Sequence, residues 1–502
     1  MYSEPNTTDS YGHLALLVPL LLWILYFTGL AVYRVTLHPL AKSDAGRSNL
    51  SLRGLVRCSP LGSLHPSNRP AAPAVWPNRP PQGPIIRINP DELHCNDIYL
   101  QILFTLLALG VRDKSSHFLH GFPPRAQIYE LENTIQSSAH NLCRKILSCE
   151  GQSALNLAST YSCFAADMIS EYSFGQSFGF LDQPGWEPNY KKSVDILLGL
   201  GHILRLLPIL GTLMEIVPLS VVQLFPSDIA LVRHDLQVKF PHQIALPREA
   251  SKSGAAGSTI FASLLEDSDL PREEKTTARL ASEANSIMVG GTESTDVILS
   301  LFTYHVLPNP DVLDLIRAEK DTVPADDEGR LPGHKLEQLP YFTTAIWEAL
   351  RLVHGISGRA ARIAPDEDLV YLKTSDFPGQ SRHYQHQFVI PRGYAIGMSA
   401  YLLHTNENVF PEPIGFAHSD GSTKVVKETE VSTSTYSLLA KVLDNVLAYW
   451  DLYICAAALI VHVFRRLSLS DTSAKDVQYD HDELIGKPYV NSNGVGVLVS
   501  SK

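Results

Sequence analysis

Cysteine is scarce in this sequence, and the cysteines present are scattered. No two of them form a CxxC pair, so the spacing indicates neither a structural zinc site nor a disulfide framework. Free, scattered thiols are typical of a protein body that faces the reducing cytosol. The six cysteines are Cys58, Cys95, Cys143, Cys149, Cys163 and Cys455.

An excess of positive charge is missing as well. The 502 residues include 41 lysines and arginines against 52 aspartates and glutamates, a formal net charge of -11. Domains that bind nucleic acid are usually basic, so nucleic acid is not expected as a partner. The hydrophobic share of 45% allows a large core, and the length allows one large domain or two or three smaller ones.

Long, nearly uncharged runs are rare in this sequence. The first occupies residues 13–35, which read HLALLVPLLLWILYFTGLAVYRV. About 20 nearly uncharged residues are enough to cross a bilayer as a helix. Glu4 and Asp9 precede this run, whereas Arg34 and Lys42 lie at and beyond its end. Because positive charge stays on the cytosolic side, the sequence predicts one transmembrane helix with a lumenal N-terminus and a cytosolic body.

A cleaved signal peptide is the rival interpretation of this run. It is less favoured, because no basic segment precedes the run and the apolar stretch is long. The predicted lumenal segment, residues 1–12, contains the glycosylation sequon Asn6-Thr7-Thr8. An unused chance match is the alternative interpretation of that sequon.

Proline is concentrated in the segment 36–83, which we predict to be a linker or disordered. Prolines at this density exclude a helix or a central strand. The next residues, 84–94, read PIIRINPDELH and predict a strand, a turn and the start of another strand. The prolines concerned are Pro60, Pro66, Pro70, Pro73, Pro77, Pro80, Pro81 and, at the end of the stretch, Pro84.

Two later apolar stretches are poor candidates for further membrane spans. From Ile128 to Ile244 the pattern is mostly helical, and its very apolar part, Ile196–Leu224, is interrupted by charged residues and prolines. We expect a buried helix pair there, and a membrane-dipping lid over a substrate entrance is the alternative. The run Val446–Phe464 contains Asp451 and His462, which argue against a second span.

The stretch Met288–Asp296 reads MVGGTESTD within a predicted helix from Thr277 to His305. Two glycines inside a helix cost about 1 kcal/mol each relative to alanine, so they indicate a need for space beside that turn. The hydroxyls that follow can bond back to the preceding turn and bend or open the helix. An opened helix beside a void suits a planar cofactor and a small ligand. A flexible or closely packed helix is the alternative.

A second helix is predicted from Tyr341 to Leu352. Glu348 and Arg351 are three residues apart and therefore share one helical face. Such a pair is often a solvated surface ion pair. If buried, it would be a bidentate, charge-assisted anchor.

Four motifs in order carry a resemblance to a known family: GGTEST, EALR, RIAPDE and VIPRGYAIGMSAYLLHTNENVFPEP. Together they resemble cytochrome P-450, most closely the fungal membrane-bound enzymes of secondary metabolism, including the trichodiene-oxygenase-like group. The segments HPLAK, PIIRINPDELH and ISEYSFGQSFGFLD fit the same family. The resemblance implies a mainly α fold with small β-sheets over residues 84–502, preceded by the transmembrane helix.

The resemblance also implies an activity and its partners. These are a haem, molecular oxygen, and electrons from NADPH through NADPH-cytochrome P-450 reductase. The body would face the cytosol on the endoplasmic reticulum membrane. The reaction would be the hydroxylation or epoxidation of a small apolar metabolite such as a terpenoid or polyketide.

Residue roles follow from the same resemblance. Ser294 occupies the position of the hydroxyl that helps to deliver protons to the iron-bound oxygen, Glu293 is the adjacent acid, and Thr295 is an alternative hydroxyl. Gly290 and Gly291 would make room over the haem.

Four further residues take supporting roles in this interpretation. Glu348 and Arg351 would be the structural pair of the haem-side core. Arg362 matches a haem-propionate arginine, and His404 precedes the segment that leads to the haem loop.

The family's haem loop, FxxGxRxCxG, is missing from this chain. Counting back from the helix that resembles the one after the loop, the cysteine position is Val442 and the neighbouring glycine position is Asp444. The aberrant residues are near 417–445, and the family's WxxxR helix has no counterpart near 97–127. Cys455 lies about four helical turns past the cysteine position and is a poor substitute.

Two hypotheses follow from these departures. One is a haem-thiolate monooxygenase, in which the missing segments reflect errors of intron assignment or a decaying gene. The other is a membrane-anchored, catalytically inactive relative without haem.

Overall fold

The structure is a computed structural model that describes residues 85–89, 92–95, 125–206, 234–252, 259–268, 270–325, 330–355, 357, 362–372, 387–397, 399–407, 410, 412–416, 447–483 and 485–501. These residues belong to two units. The predicted transmembrane segment, the proline-rich linker and the segment 417–445 with Val442 lie outside the described residues.

The smaller unit is built from short strands. Its four-stranded sheet has the order β1-β2-β7-β4, in which β1 and β2 form an antiparallel pair, β7 runs parallel to β2, and β4 is antiparallel to β7. A second, antiparallel pair joins β5 to β6. The strands are β1 (Ile85–Asn89), β2 (Glu92–Cys95), β4 (Arg362–Ile363), β5 (Leu369–Leu372), β6 (Gln387–Ile390) and β7 (Ala395–Gly397).

The larger unit is mainly helical. The helices are α1 (Arg125–Leu147), α2 (Leu157–Phe174), α3 (Tyr190–Leu206), α4 (Phe240–Lys252), α5 (Ile260–Glu266), α6 (Thr277–Val306), α7 (Pro310–Lys320), α8 (Gly333–Leu336), α9 (Pro340–Val353), α10 (Ala400–His404) and α11 (Leu447–His462). A π-helical turn, Asp235–Lys239, leads directly into α4. The predicted helices at 277–305 and 341–352 are therefore α6 and α9, each within two residues of the predicted bounds.

Short strands complete the larger unit. A three-stranded antiparallel sheet has the order β3-β11-β8, and a separate hairpin pairs β9 with β10. The strands are β3 (Leu155–Asn156), β8 (Leu467–Leu469), β9 (His481–Glu483), β10 (Ile485–Lys487) and β11 (Gly496–Val499).

Helix α6 is the central element of the larger unit. It begins at the N-cap Thr276, whose hydroxyl accepts a hydrogen bond from the Arg279 amide and so satisfies one of the free amides of the first turn. It packs most extensively against α2 and also contacts α3, α4, α9 and α11. Fully buried residues such as Leu299 and Phe302 place it inside the core.

Helix α11 is a core helix. Leu452, Cys455 and Leu459 are fully buried, and α11 packs against α1 and α6. The run Val446–Phe464 is thus explained by burial on several sides within the protein. Among the residues that the structure describes, none of the helices combines the length and the apolar character that a membrane crossing requires.

Candidate functional site

One face of α6 is open. Ser286 and Gly290 are exposed although the helix lies in the core, and they are four residues apart on one face. A Cβ atom added to Gly290 would have no heavy atom within 4 Å. Ser294 continues this face by one turn, and its hydroxyl donates to the Gly290 carbonyl oxygen at 2.8 Å. The hydroxyl bonds back to the preceding turn as expected, yet α6 remains α-helical from Thr277 to Val306.

Gly291 serves a different purpose from Gly290. A Cβ atom at Gly291 would lie 2.9 Å from Cγ1 of Ile169 on α2. This glycine therefore permits the close approach of α2 and α6. At Gly291 the structure agrees with the alternative interpretation, a closely packed helix. The open face and the packed face belong to successive glycines because successive helical residues point about 100° apart.

The hydroxyls of the motif are divided between these faces. Thr295 lies one turn after Gly291 and is 1% exposed, so it sits in the packed interior. Thr292 is equally buried, and its hydroxyl has no hydrogen-bond partner within the described part of the chain. Of these hydroxyls, the structure places that of Ser294 on the open face.

Glu293 is buried and held by two lysines. Lys191 on α3 donates to its two carboxylate oxygens at 2.8 and 2.9 Å, and Lys487 on β10 donates to Oε1 at 2.7 Å. Lys487 also donates to Asp195 at 2.6 Å. Burial alone would raise the pKa of Glu293, but the two ammonium groups outweigh it and the pKa is lowered. Glu293 is therefore a fixed anion that ties α3, α6 and β10 together.

Asp296 is a second acid one turn along the helix, and it is fully buried. Neither of its carboxyl oxygens has a hydrogen-bond partner among the described residues, and the Lys191 ammonium is 3.7 Å from Oδ2. Burial raises the pKa of Asp296 well above its usual value. Since two lysines already balance Glu293 and Asp195, a neutral, protonated Asp296 leaves this cluster without net charge.

Little in the sequence indicates this charge cluster. Asp296 follows Glu293 at the i, i+3 spacing, which places both on neighbouring parts of one helical face. Lys191, Asp195 and Lys487 come from elements far apart along the chain and belong to no motif. Their position depends on the packing of α3 and the β9–β10 hairpin.

The Glu348–Arg351 pair is buried, and both side chains are 1% exposed. The guanidinium donates to the two Glu348 carboxylate oxygens, from Nε at 3.0 Å and from Nη2 at 2.7 Å. It also donates to the carbonyl oxygens of His404, Pro413 and Gly415 at 3.3, 2.6 and 2.7 Å. The sequence left open whether this pair is a solvated surface ion pair or a buried bidentate anchor, and the structure shows the buried anchor. The anchor fastens α9 to the chain between 404 and 415.

Two buried histidines adjoin this anchor. The rings of His354 and His404 are 5.6 Å apart, and neither Nδ1 atom has a hydrogen-bond partner within the described chain. Burial, with the nearby Arg351 charge, lowers the pKa of His404 to about 3. Burial also lowers the pKa of His354. Both imidazoles are therefore neutral at physiological pH, which avoids repulsion with the arginine.

Arg362 belongs to the other unit. It opens strand β4, where it is paired with Ile396 of β7. Its side chain lies outside what the structure describes, so its predicted contact with a propionate stays a prediction.

The described cysteines do not suit an iron ligand. Cys143, Cys149, Cys163 and Cys455 are all buried and free. Burial raises the pKa of both Cys143 and Cys163 to about 12 and that of Cys455 well above its usual value. A thiolate is the form that binds metal, and these surroundings oppose it. Within the described ranges, no group of three or more His, Cys, Asp or Glu side chains is placed to hold a metal ion.

The donor set therefore fits a haem only in part. The open face at Gly290 and Ser294 leaves room for a flat ligand, and the Arg351 anchor is formed. The described residues supply no thiolate, and the position predicted for it from the sequence is Val442. The residues present thus do not fit a haem-thiolate centre.

Comparisons with a family model and with individual known proteins agree with one another. A family model described as Cytochrome P450 matches residues 111–419. Cytochrome P450 monooxygenase ppzE of Metarhizium majus is 33% identical, covering 77% of this chain and 87% of the relative. Tryptophan 6-hydroxylase fscE of Fusarium equiseti is 30% identical, over 84% and 85%. Cytochrome P450 monooxygenase TRI4 of Fusarium sporotrichioides is 24% identical, over 93% and 91%.

Proposed function

Because the chain belongs to the cytochrome P450 family of monooxygenases, we propose that its gene encodes a monooxygenase of fungal secondary metabolism. The substrate is a small apolar metabolite such as a terpenoid or polyketide, which is hydroxylated or epoxidised. The reaction uses molecular oxygen and electrons from NADPH through NADPH-cytochrome P450 reductase. The proposal concerns a protein whose haem loop is intact.

The open face of α6 is the observation that carries this proposal. Gly290 leaves space beside the helix, and Ser294 presents a hydroxyl next to that space. The Ser294 hydroxyl donates a hydrogen bond to the Gly290 carbonyl oxygen, which leaves the hydroxyl oxygen able to accept a hydrogen bond from a ligand or from water. Thr295, by contrast, is buried in the core. Ser294 is thus positioned to pass a proton and Thr295 to fill the core.

A matched pair of variants tests this assignment in a loop-restored protein supplied with reductase and NADPH. Ser294→Ala should uncouple oxygen consumption from product formation, because a positioned hydroxyl no longer lies within hydrogen-bond reach. Thr295→Ala should reduce stability and leave the coupling nearly unchanged. The double variant should match Ser294→Ala in coupling. Normal coupling in the double variant would remove both hydroxyls from the mechanism.

A second candidate function is supported by the cysteines. Cys143, Cys163 and Cys455 are buried with raised pKa values, and the loop residues 417–445 contain no cysteine. The chain as written would then be a haem-free, catalytically inactive relative. The carbon monoxide spectrum given at the end of the Discussion separates the two candidates.

The location of the protein follows from residues 13–35. We propose a single span in the endoplasmic reticulum membrane with the body facing the cytosol, since positive charge follows the apolar run. Protease added to sealed microsomes should digest the body. A protected body would reverse the orientation.

A further inference from the structure

A small cavity lies away from the open face of α6, between α1, α7, α8 and α11. Its volume is about 100 Å³, and its floor is apolar, with Leu336, Ile454 and Ala457 among the lining side chains. The polar side chains that line it are Gln136, His140, Lys320 and His462. None of the roles assigned to the open face or to the Arg351 anchor uses these residues.

The two histidines face each other across the helices. His140 comes from α1 and His462 from the last turn of α11, and their ring centres are 4.9 Å apart with the planes inclined at 51°. The Nδ1 atom of His140 lies 2.8 Å from the Gln136 carbonyl oxygen. A carbonyl oxygen can only accept, so Nδ1 carries the proton and the Nε2 lone pair of a neutral ring is left available.

The distance between the two ring centres allows both imidazoles to reach one metal ion, provided that their Nε2 atoms turn toward it. With a metal–nitrogen distance of about 2.0–2.1 Å, each ring centre lies about 3.2 Å from the metal. Two centres 4.9 Å apart then subtend an angle of about 100° at the metal, close to that of a tetrahedron. An imidazole that donates its other N–H to a backbone carbonyl is the usual arrangement of a metal-ligating histidine.

We propose that His140 and His462 form a two-histidine site for a divalent transition metal such as zinc. A third His, Cys, Asp or Glu ligand is absent from the described residues around it, so water and the Gln136 amide oxygen complete the coordination. With so few strong ligands, the metal ion should exchange with metal ions in solution. An occupied site would link α1 to α11, which follows the loop segment where the family places its haem ligand.

Lys320 distinguishes this proposal from an anion site in the same cavity. Its ammonium is paired with the exposed carboxylate of Asp321 at 2.5 Å. Because Asp321 is exposed to solvent, it balances the Lys320 ammonium only in part. The ammonium would therefore oppose a metal cation in the cavity and would favour an anion. Lys320→Gln should therefore tighten zinc binding, whereas an anion site would be weakened by the same change.

The test is a titration of the purified full chain with zinc alone, in competition with a chromophoric chelator, together with the zinc-dependent shift in melting temperature. His140→Gln and His462→Gln should each lower the affinity by about tenfold or more and abolish the shift. His242→Gln, at an exposed histidine on α4, is the matched control and should change neither. Circular dichroism establishes that each variant is folded.

Three results would overturn the proposal. Zinc binding that survives in both His140→Gln and His462→Gln would place the metal elsewhere. A loss of equal size in His242→Gln would indicate adventitious binding by surface histidines. Weaker zinc binding in Lys320→Gln would show that the cavity does not respond to charge as a cation site must.

Discussion

At the scale of single residues, Asp451 is a buried acid whose protonation bears on stability. It is 4% exposed within α11, and its Oδ1 atom has no hydrogen-bond partner in the described chain. Burial raises its pKa from the usual 3.8 to about 8. The folded protein therefore holds a proton at this carboxyl at neutral pH, and the unfolded chain does not.

The sign of the pH dependence follows from this difference. Between about pH 4 and 8 the Asp451 carboxyl binds one proton in the folded state that it lacks in the unfolded state, so its contribution makes stability fall as the pH rises, by about 1.4 kcal/mol per pH unit. The loss is absent below the unfolded pKa and complete above the folded pKa. Asp451→Asn should flatten the slope and raise the free energy of unfolding at pH 7, measured by denaturant titration from pH 5 to 8.

An exposed acid provides the control for Asp451. Asp314→Asn, whose side chain is 76% exposed, should leave the pH slope unchanged. Parallel pH curves for the unaltered protein and Asp451→Asn would mean that the carboxyl is ionised in the folded state.

The sequence motifs singled out some of these residues, and their roles beside a haem stay predictions. The motif order gave Gly290, Ser294, Glu348 and Arg351, because local spacing fixes which helical face each residue occupies. It did not give the lysines that hold Glu293, because ion pairs between distant elements depend on packing that no local pattern encodes. It also did not separate the roles of Gly290 and Gly291, since the difference arises from Ile169 on another helix.

At the scale of elements, the neighbouring glycines of α6 offer a matched experiment on helix packing. Gly290→Ala should stabilise the protein by up to about 1 kcal/mol, because alanine favours a helix and its Cβ meets open space. Gly291→Ala should cost about 1–3 kcal/mol through the contact with Ile169. Thermal unfolding of both variants gives the difference. Equal effects would show that α2 does not approach α6 as closely as the structure has it.

The Arg351 anchor is a link between elements, because it fastens α9 to the chain between 404 and 415. Glu348→Gln should destabilise the protein by about 3–5 kcal/mol, since a buried guanidinium loses its counter-charge. Asp314→Asn breaks an exposed pair of the same i, i+3 spacing on α7 and should cost less than about 1 kcal/mol. Denaturant titration compares the two. Losses of similar size would mean that the Arg351 pair is solvated.

The helices predicted from the sequence agree best with the structure where the hydrophobic pattern is long and periodic. The bounds of α6 and α9 differ little from the sequence prediction, because both helices have a long periodic pattern; Thr276 caps the start of α6 and Pro340 begins α9. The apolar run of α11 was ambiguous in the sequence, since a helix buried on several sides and a membrane span have the same composition. Asp451 and His462 within it favoured the core, which is where α11 lies.

At the scale of the whole molecule, the chain combines a cytochrome P450 fold with the absence of a suitable iron ligand from the described residues. The core helices, the buried anchor and the open face of α6 all lie within the described residues. The family relationship therefore establishes the fold and the class of enzyme. Activity depends separately on a thiolate, for which the sequence has Val442 at the expected position.

The most direct measurement is the carbon monoxide difference spectrum of the purified, reduced 502-residue chain. We predict that the thiolate-haem Soret band is absent, because valine cannot ligate iron and burial raises the pKa of Cys143, Cys163 and Cys455, which opposes their thiolate forms. A transcript-derived protein with the loop restored should show the band under identical conditions. The appearance of the band in the chain as written would contradict this account, and its loss in Cys455→Ser would then identify the cysteine that had moved to the iron.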